Sequence, residues 1–401
     1  MSQMDRRQAL RLLTALGAAG LAAACGTDRN EPAAESANLE PIRIGLIAPQ
    51  AGGNKPIGDE LVRGFQLFLQ LNDQQLGGHP VNLLILDEGN DARTATTSVN
   101  GALKQGVLAL TGVVDSGVML GIRDLVERAR VPLVGSNASP SALQSVVYIW
   151  RTSYVSDEPG RALGPYVAQH VSENGEVAIV APDYPAGRDA VEGFRQHFGD
   201  RGVGDPRIGE PVLWTPYTTN PDKKTYAETV GTLRERNPEA LYCFFAGAAA
   251  IAFIQQLRGV GYRNQIYAPG FLTEGNVLKE LGDDALGIRT ALNYSADLNN
   301  AANRRFATAF RKAHGTSPTT YAMASYDAAR VLDKAIRLAG DRPTPQDVNL
   351  ALGKVGQIDS PRGPWQFNQP RTPQQKWYLR EVRKDGQVLA NMLMNELATL
   401  G

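Results

Sequence analysis

Two short stretches concentrate the residue types that could meet a small molecule. They are Gly112-Val113-Val114-Asp115-Ser116-Gly117 and Gly135-Ser136-Asn137-Ala138-Ser139-Pro140. Each follows an apolar run that reads as a strand. In an open α/β sheet, ligands gather beyond the carboxyl ends of strands. A helix starting there offers free N–H groups and a partial positive charge to a carboxylate. Ser116 and Ser139 add hydroxyls, and Asp115 would suit a cation. The same residue types also cap helices, and one loop can do both. The chemistry on offer is capture rather than turnover. Ser116 has no Gly-x-Ser-x-Gly setting, and no histidine lies in a loop that pairs with it. Asp87-Glu88 ends a strand, where carboxylates cap or face solvent. Neither a Walker loop nor a Gly-x-Gly-x-x-Gly fingerprint occurs. His79, His170, His197 and His314 lack metal-ligand spacing. The expectation is a non-enzyme without metal or cofactor.

The elements that would position these loops follow from hydrophobic periodicity. Strands are predicted over 42–48, 81–86, 107–111, 131–134 and 146–150, with helices over 58–75, 94–104 and 117–129 between them. The alternation restarts with strands over 177–181, 207–213, 241–245 and 265–268 and helices over 188–198, 225–236 and 249–258. Short strands separated by such helices make βαβ units and parallel sheets. Two runs of similar length predict two doubly wound α/β lobes, and roughly 360 residues are too many for one core. Helices over 302–314 and 321–338 and a strand over 376–383 follow. The last segment, after Lys384-Asp385-Gly386, reads as either a strand or a helix. Lys plus Arg equals Asp plus Glu at 41 each, so no basic excess holds nucleic acid. Cys243, in Ala240-Leu241-Tyr242-Cys243-Phe244-Phe245, reads as a buried free thiol.

Residues 1–25 read as an export leader. Arg6-Arg7 precedes a short apolar run, Leu12 to Ala24, that is too short to span a bilayer. The arginine pair resembles a twin-arginine signal, and Leu21-Ala22-Ala23-Ala24-Cys25 resembles a bacterial lipobox with lipid destined for Cys25. An ordinary signal peptide cleaved nearby is the alternative, and the export route is left open. Residues 26–40 are small and polar and read as a flexible tether of about 50 Å at most, averaging roughly 20 Å. The expected location is outside the cytoplasm, anchored to the cell membrane.

From Pro41 to about Gly386 the chain resembles the type I periplasmic solute-binding proteins of the branched-chain amino acid and amide group, which serve ABC importers. Three stretches carry the likeness: Ile57-Gly58-Asp59-Glu60-Leu61-Val62-Arg63-Gly64 with Leu76-Gly77-Gly78-His79-Pro80, Arg151-Thr152-Ser153-Tyr154 through Gly160-Arg161-Ala162-Leu163, and Tyr321-Ala322 through Tyr326-Asp327-Ala328-Ala329. The resemblance implies three crossovers, near 155–162, 289–296 and 362–368. It implies lobe 1 from 41–157 plus 293–364, and lobe 2 from 158–292 plus 365–401. A monomer would close by hinge motion on a ligand between the lobes and deliver it to an ABC permease. The same fold also serves ligand-sensing modules of signalling systems.

In the amino acid binders, the positions matching Ser116, Asn137, Ala138 and Ser139 hold the ligand carboxylate. The ammonium side departs from that pattern. Ile57 replaces a pocket tyrosine, and the tyrosine expected at Ala186 is shifted to Tyr184. Ala248 stands near a missing aromatic. Phe271 or Gly270 replaces an acidic residue, and Glu274 comes late. These residues with Asp115 form the expected binding set. They favour a small organic acid, amide or aromatic acid over an amino acid, in a pocket of roughly 300–1,000 Å³.

Overall fold

The computed structural model describes residues 39–143 and 145–401. The leader, Cys25 and the tether as far as residue 38 lie outside the described residues. The first run of elements is β1 (Ile42–Ala48), α1 (Lys55–Leu71), β2 (Gln75–Leu76), β3 (His79–Asp87), α2 (Ala92–Lys104), β4 (Ala109–Gly112), α3 (Ser116–Ala129), β5 (Leu133–Gly135) and β6 (Ile149–Arg151). The second is α4 (Glu158–His170), β7 (Val177–Pro182), α5 (Pro185–Gln196), β8 (Leu213–Thr215), α6 (Ala227–Arg236), β9 (Ala240–Cys243), α7 (Gly247–Gly259), β10 (Gln265–Pro269), α8 (Asn276–Leu281) and β11 (Arg289–Leu292). The chain ends with α9 (Ala301–His314), α10 (Thr320–Ala339), α11 (Pro345–Leu352), β12 (Gln375–Asp385) and β13 (Val388–Leu400).

These elements build two sheets, ordered β2-β3-β1-β4-β5-β6 and β13-β12-β11-β10-β9-β7-β8. The pairings of β1 with β3 and β4, and of β7 with β8 and β9, are parallel. All six residues of β7 are buried. That is why β7 reads as a continuous apolar run: both faces of a parallel sheet are covered by helices. The fold is α/β with two parallel-dominated sheets. β12 pairs antiparallel with β11 and β13. The choice left open for the last segment is resolved as a strand, because Gly386 takes φ +61° and closes a two-residue hairpin loop.

Several expectations differ from the structure. The helix expected over 58–75 runs from Lys55 and stops at Leu71, because Asp73 and Gln74 take left-handed φ values and end the turn. The strand expected over 207–213 reduces to a bridge at Ile208 and to β8, with Pro211 removing a ladder donor. α4 went unpredicted because Pro159, Gly160, Gly164 and Pro165 all weaken helix propensity. The glycines have a packing reason. A Cβ at Gly160 would lie 2.5 Å from the Ala190 carbonyl oxygen, so α4 and α5 approach backbone to backbone. α11 was also unpredicted. It is short and held by a Thr344–Asp347 capping box.

The chain leaves the first sheet after β6, returns after β11, and crosses again before β12. Arg362 binds these segments together. It donates to the carbonyls of Thr152 and Ser153 and to Gln375 Oε1, and it pairs with Asp327 at 2.8 Å. Asn293, just past β11, donates to the Ser153 carbonyl at 2.9 Å and to Gln375 Oε1 at 2.8 Å. Cys243 is buried on β9 as a free thiol, and burial pushes its pKa up.

Candidate functional site

The carboxyl ends of β4 and β5 form one stitched unit. Gly112 takes φ +101°, and a Cβ there would lie 2.1 Å from the Ile47 carbonyl oxygen, so only glycine lets β4 turn away this close to β1. Val113 follows with φ +68°. Glu88, at the end of β3, then accepts from the backbone N–H groups of Val114 at 2.8 Å and Asp115 at 2.7 Å. The second loop joins on: Ala138 N donates to the Val113 carbonyl at 2.9 Å, and Asn137 Nδ2 to the Val114 carbonyl at 2.8 Å. Asp115 caps α3 by accepting from Val118 N at 2.9 Å.

Burial dominates at Glu88 and pushes its carboxyl up to about 8, despite the two N–H donors that favour its charge. The folded protein therefore keeps a proton that the unfolded chain releases near 4.5. Glu88 contributes stability that is complete below the unfolded value and is lost as pH rises through the folded one. Burial acts the same way on Glu158, raised to about 7. The melting temperature is expected to fall between about pH 5 and 8, and Glu88→Gln to flatten that slope. A pH series of thermal melts checks it. The slope is the readout, since glutamine offers the two N–H donors a single acceptor oxygen.

Facing this unit is the carboxyl end of the second sheet. Tyr184 and Ala186 come from the start of α5, Tyr217 from the loop after β8, Phe244 from the end of β9 and Phe271 from the end of β10. With Tyr154 and Tyr321, they line a cavity of about 50 Å³ whose other wall includes Ile57, Asp115, Ser116 and Asn137. The cavity is far smaller than the expected pocket because aromatic rings fill it. Tyr184 stacks on Tyr217 with centroids 4.1 Å apart, and Tyr154 packs on Phe271 at 5.2 Å. Ile57, Val114, Tyr154, Phe244, Phe271 and Tyr321 belong to one apolar cluster shared by both sheets.

Of the sequence-derived set, Ile57, Asp115, Ser116, Asn137, Tyr184, Ala186 and Phe271 come together at this cavity. Four residues do not line it. The N–H of Ala138 is spent on Val113. Ser139 is fully buried, and its carbonyl accepts from Ser156 Oγ at 2.9 Å. Ala248 sits beside the Gly53 loop. Glu274 is taken up by Arg380 at 2.8 Å and by Thr320 N at 2.8 Å, which makes it a buried structural ion pair. Sequence reasoning missed Tyr154, Tyr217, Phe244 and Tyr321 as lining residues. Tyr154 and Tyr321 stood inside quoted motifs, but Tyr217 lies in a loop with no periodic signal.

The polar character of the cavity also departs from expectation. Among the described lining residues, Asp115 is the one charged side chain. Its carboxylate opposes the positive end of α3, so this corner repels a second carboxylate. The hydroxyls of Tyr154, Tyr184 and Tyr321 find no hydrogen-bond partner among the described residues and are kept protonated by burial. They can donate to a ligand oxygen. Tyr217 OH donates to Asp115 across the cleft, and Ser141 N donates to Asp189 Oδ2 at 2.8 Å, so the two sides are in contact.

Comparison with known proteins accords with this architecture. Residues 41–387 match the family described as periplasmic binding protein. A Leu/Ile/Val-binding protein homologue of Brucella melitensis is 26% identical over 88% of this chain and 90% of its own length. A solute-binding protein of an ABC transporter from R. palustris, solved with benzoate, is 26% identical with a TM-score of 0.81, covering 89% of this chain and 96% of that one. A leucine-binding protein of Thermotoga maritima shares the fold at 19% identity and a TM-score of 0.75, covering 87% and 99%. A family match over most of the chain leads to one conclusion: this chain belongs to the type I periplasmic binding proteins, the solute-binding proteins of ABC transporters.

Proposed function

We propose that this protein captures a small aromatic carboxylate between its two lobes and delivers it to an ABC permease. The observation that carries this reading is the cavity wall of Tyr154, Tyr184, Tyr217, Phe244, Phe271 and Tyr321, which offers ring faces to stack on and phenol donors for a carboxylate. The benzoate bound by the similar R. palustris protein supports it. The lobes are taken as 41–157 plus 293–364 and 158–292 plus 365–401, moving about the Arg362 junction. Ligand touches both lobes only when the cleft shuts, so its binding energy shifts the open–closed equilibrium. The shut form then offers the permease a matched surface.

The leader places the mature protein outside the cytoplasm, and lipid on Cys25 would hold it at the membrane. The tether leaves it free to reach a permease. Isothermal titration with benzoate, 4-hydroxybenzoate, leucine and isoleucine tests the ligand class. The expected result is saturable binding of an aromatic acid and none of the amino acids. Binding of leucine alone overturns the reading. Membrane fractionation of Cys25→Ala tests the anchor, with release of the protein expected.

A further inference from the structure

We propose that Tyr217 holds, with its own phenol, the place of a ring hydroxyl on the ligand, and that Asp115 is the residue that reads that hydroxyl. The inference rests on the aromatic-carboxylate reading and narrows it to phenolic acids. Tyr217 stands apart from the other rings of the cavity. It is 38% exposed and lies in the irregular segment after β8. Its ring stacks on Tyr184 at 4.1 Å with an interplanar angle of 14°, and its hydroxyl donates to Asp115 on the opposite lobe. An aromatic ring with a phenol group thus already sits in the cleft, stacked and hydrogen-bonded as a ligand would be. Its presence is one reason the free space is only about 50 Å³.

A ligand that stacks on Tyr184 must displace this ring. The loop can release it to solvent without breaking a strand or helix. The exchange leaves Asp115 with a choice that depends on the ligand. A ring hydroxyl restores a charge-assisted hydrogen bond of the same kind. A bare ring leaves Asp115 Oδ2 without the donor it had, while Oδ1 keeps Val118 N, and that loss costs free energy. Sites built to bond a hydroxyl reject analogues that lack it far more strongly than apolar pockets sort by size. Charge sets the orientation: the ligand carboxylate avoids Asp115 and turns toward the unpartnered hydroxyls of Tyr154, Tyr184 and Tyr321.

The test is isothermal titration of the purified mature protein with benzoate and 4-hydroxybenzoate, for wild type, Asp115→Asn and Tyr217→Phe. Wild type is expected to favour 4-hydroxybenzoate by about 10-fold or more. Asp115→Asn keeps a residue that caps helices well, so the fold is retained, as melting temperature verifies. It is expected to shrink the preference to about 3-fold or less, because a neutral acceptor bonds the phenol more weakly. Tyr217→Phe keeps the ring but removes the hydroxyl that ties it to Asp115, which weakens the internal competitor, and is expected to tighten both acids while preserving their ratio. A wild-type ratio near one, a ratio unmoved by Asp115→Asn, or weaker binding of both acids by Tyr217→Phe overturns the proposal. If benzoate binds but the ratio is near one, the aromatic-carboxylate reading stands and this inference alone falls. If neither acid binds, both fall.

Discussion

Asp327→Ala is expected to remove about 3–5 kcal/mol of folding stability, measured as a fall in the urea midpoint. Asp327 and Arg362 form an ion pair whose side chains are 0% and 1% exposed. One carboxylate oxygen, Oδ2, gathers Ser360 Oγ at 2.6 Å, Trp365 Nε1 at 3.0 Å and two Arg362 nitrogens at 2.8 and 3.2 Å. Removing the carboxylate leaves a buried guanidinium without its ion-pair partner, together with two stranded donors. That imbalance, rather than the worth of the pair itself, makes the loss large. The double variant Asp327→Ala/Arg362→Met is therefore expected to be more stable than Asp327→Ala alone. If the single variant unfolds at the wild-type urea midpoint, the Arg362 junction does not anchor the fold. Arg362 also donates to the segment after β6 and to the first residue of β12, so an Arg362 left without Asp327 is held less firmly where the chain crosses between the sheets.

The second large effect falls on binding and should spare stability. Gly53 lies in the loop before α1, and Thr219 lies in the loop after β8 on the other side of the cleft. A Cβ at Gly53 would stand 1.8 Å from the Thr219 carbonyl oxygen and 2.9 Å from Ala248 Cβ. The first of these is backbone and cannot swing away. Gly53 is not among the residues with left-handed φ, so alanine meets no local strain. In the proposed open form these loops part, and the clash is absent. Gly53→Ala is thus expected to prop the cleft open and weaken ligand binding by roughly 5- to 150-fold, the equivalent of about 1–3 kcal/mol of overpacking. The melting temperature without ligand should stay near wild type. Titration and thermal melts on the same preparation check both halves. Unaltered affinity would show that full contact between these loops is not needed to hold the ligand.

Much of the scaffold was legible because burial writes itself into local sequence. The all-apolar β7, the alternation of short strands with helices, and the Gly112–Gly117 and Gly135–Pro140 loops at strand ends were readable one segment at a time. So was Asp115 as a helix cap. The failures have physical causes. α4 was hidden by glycines and prolines whose purpose, close packing against α5, belongs to the pair of helices. Glu274 looked like a late-placed ligand group because nothing nearby in sequence announces Arg380, which neutralises it. Ala138 and Ser139 stood in the right loop but had their polar groups turned inward.

By itself, the sequence determined the α/β class, the two runs of strands that build two parallel-dominated sheets, and the loops at their carboxyl ends. Each depends on periodicity and turn chemistry within some tens of residues. Only the tertiary structure decided what the cleft contains. Tyr154, Tyr184, Tyr217 and Tyr321 come from four separate segments, and a local pattern shows that a residue is buried, never which distant residue it will face. The junction at Arg362, the partner of Glu274 and the phenol resting on Asp115 are all products of chain crossing, which brings together groups that no spacing in the sequence connects.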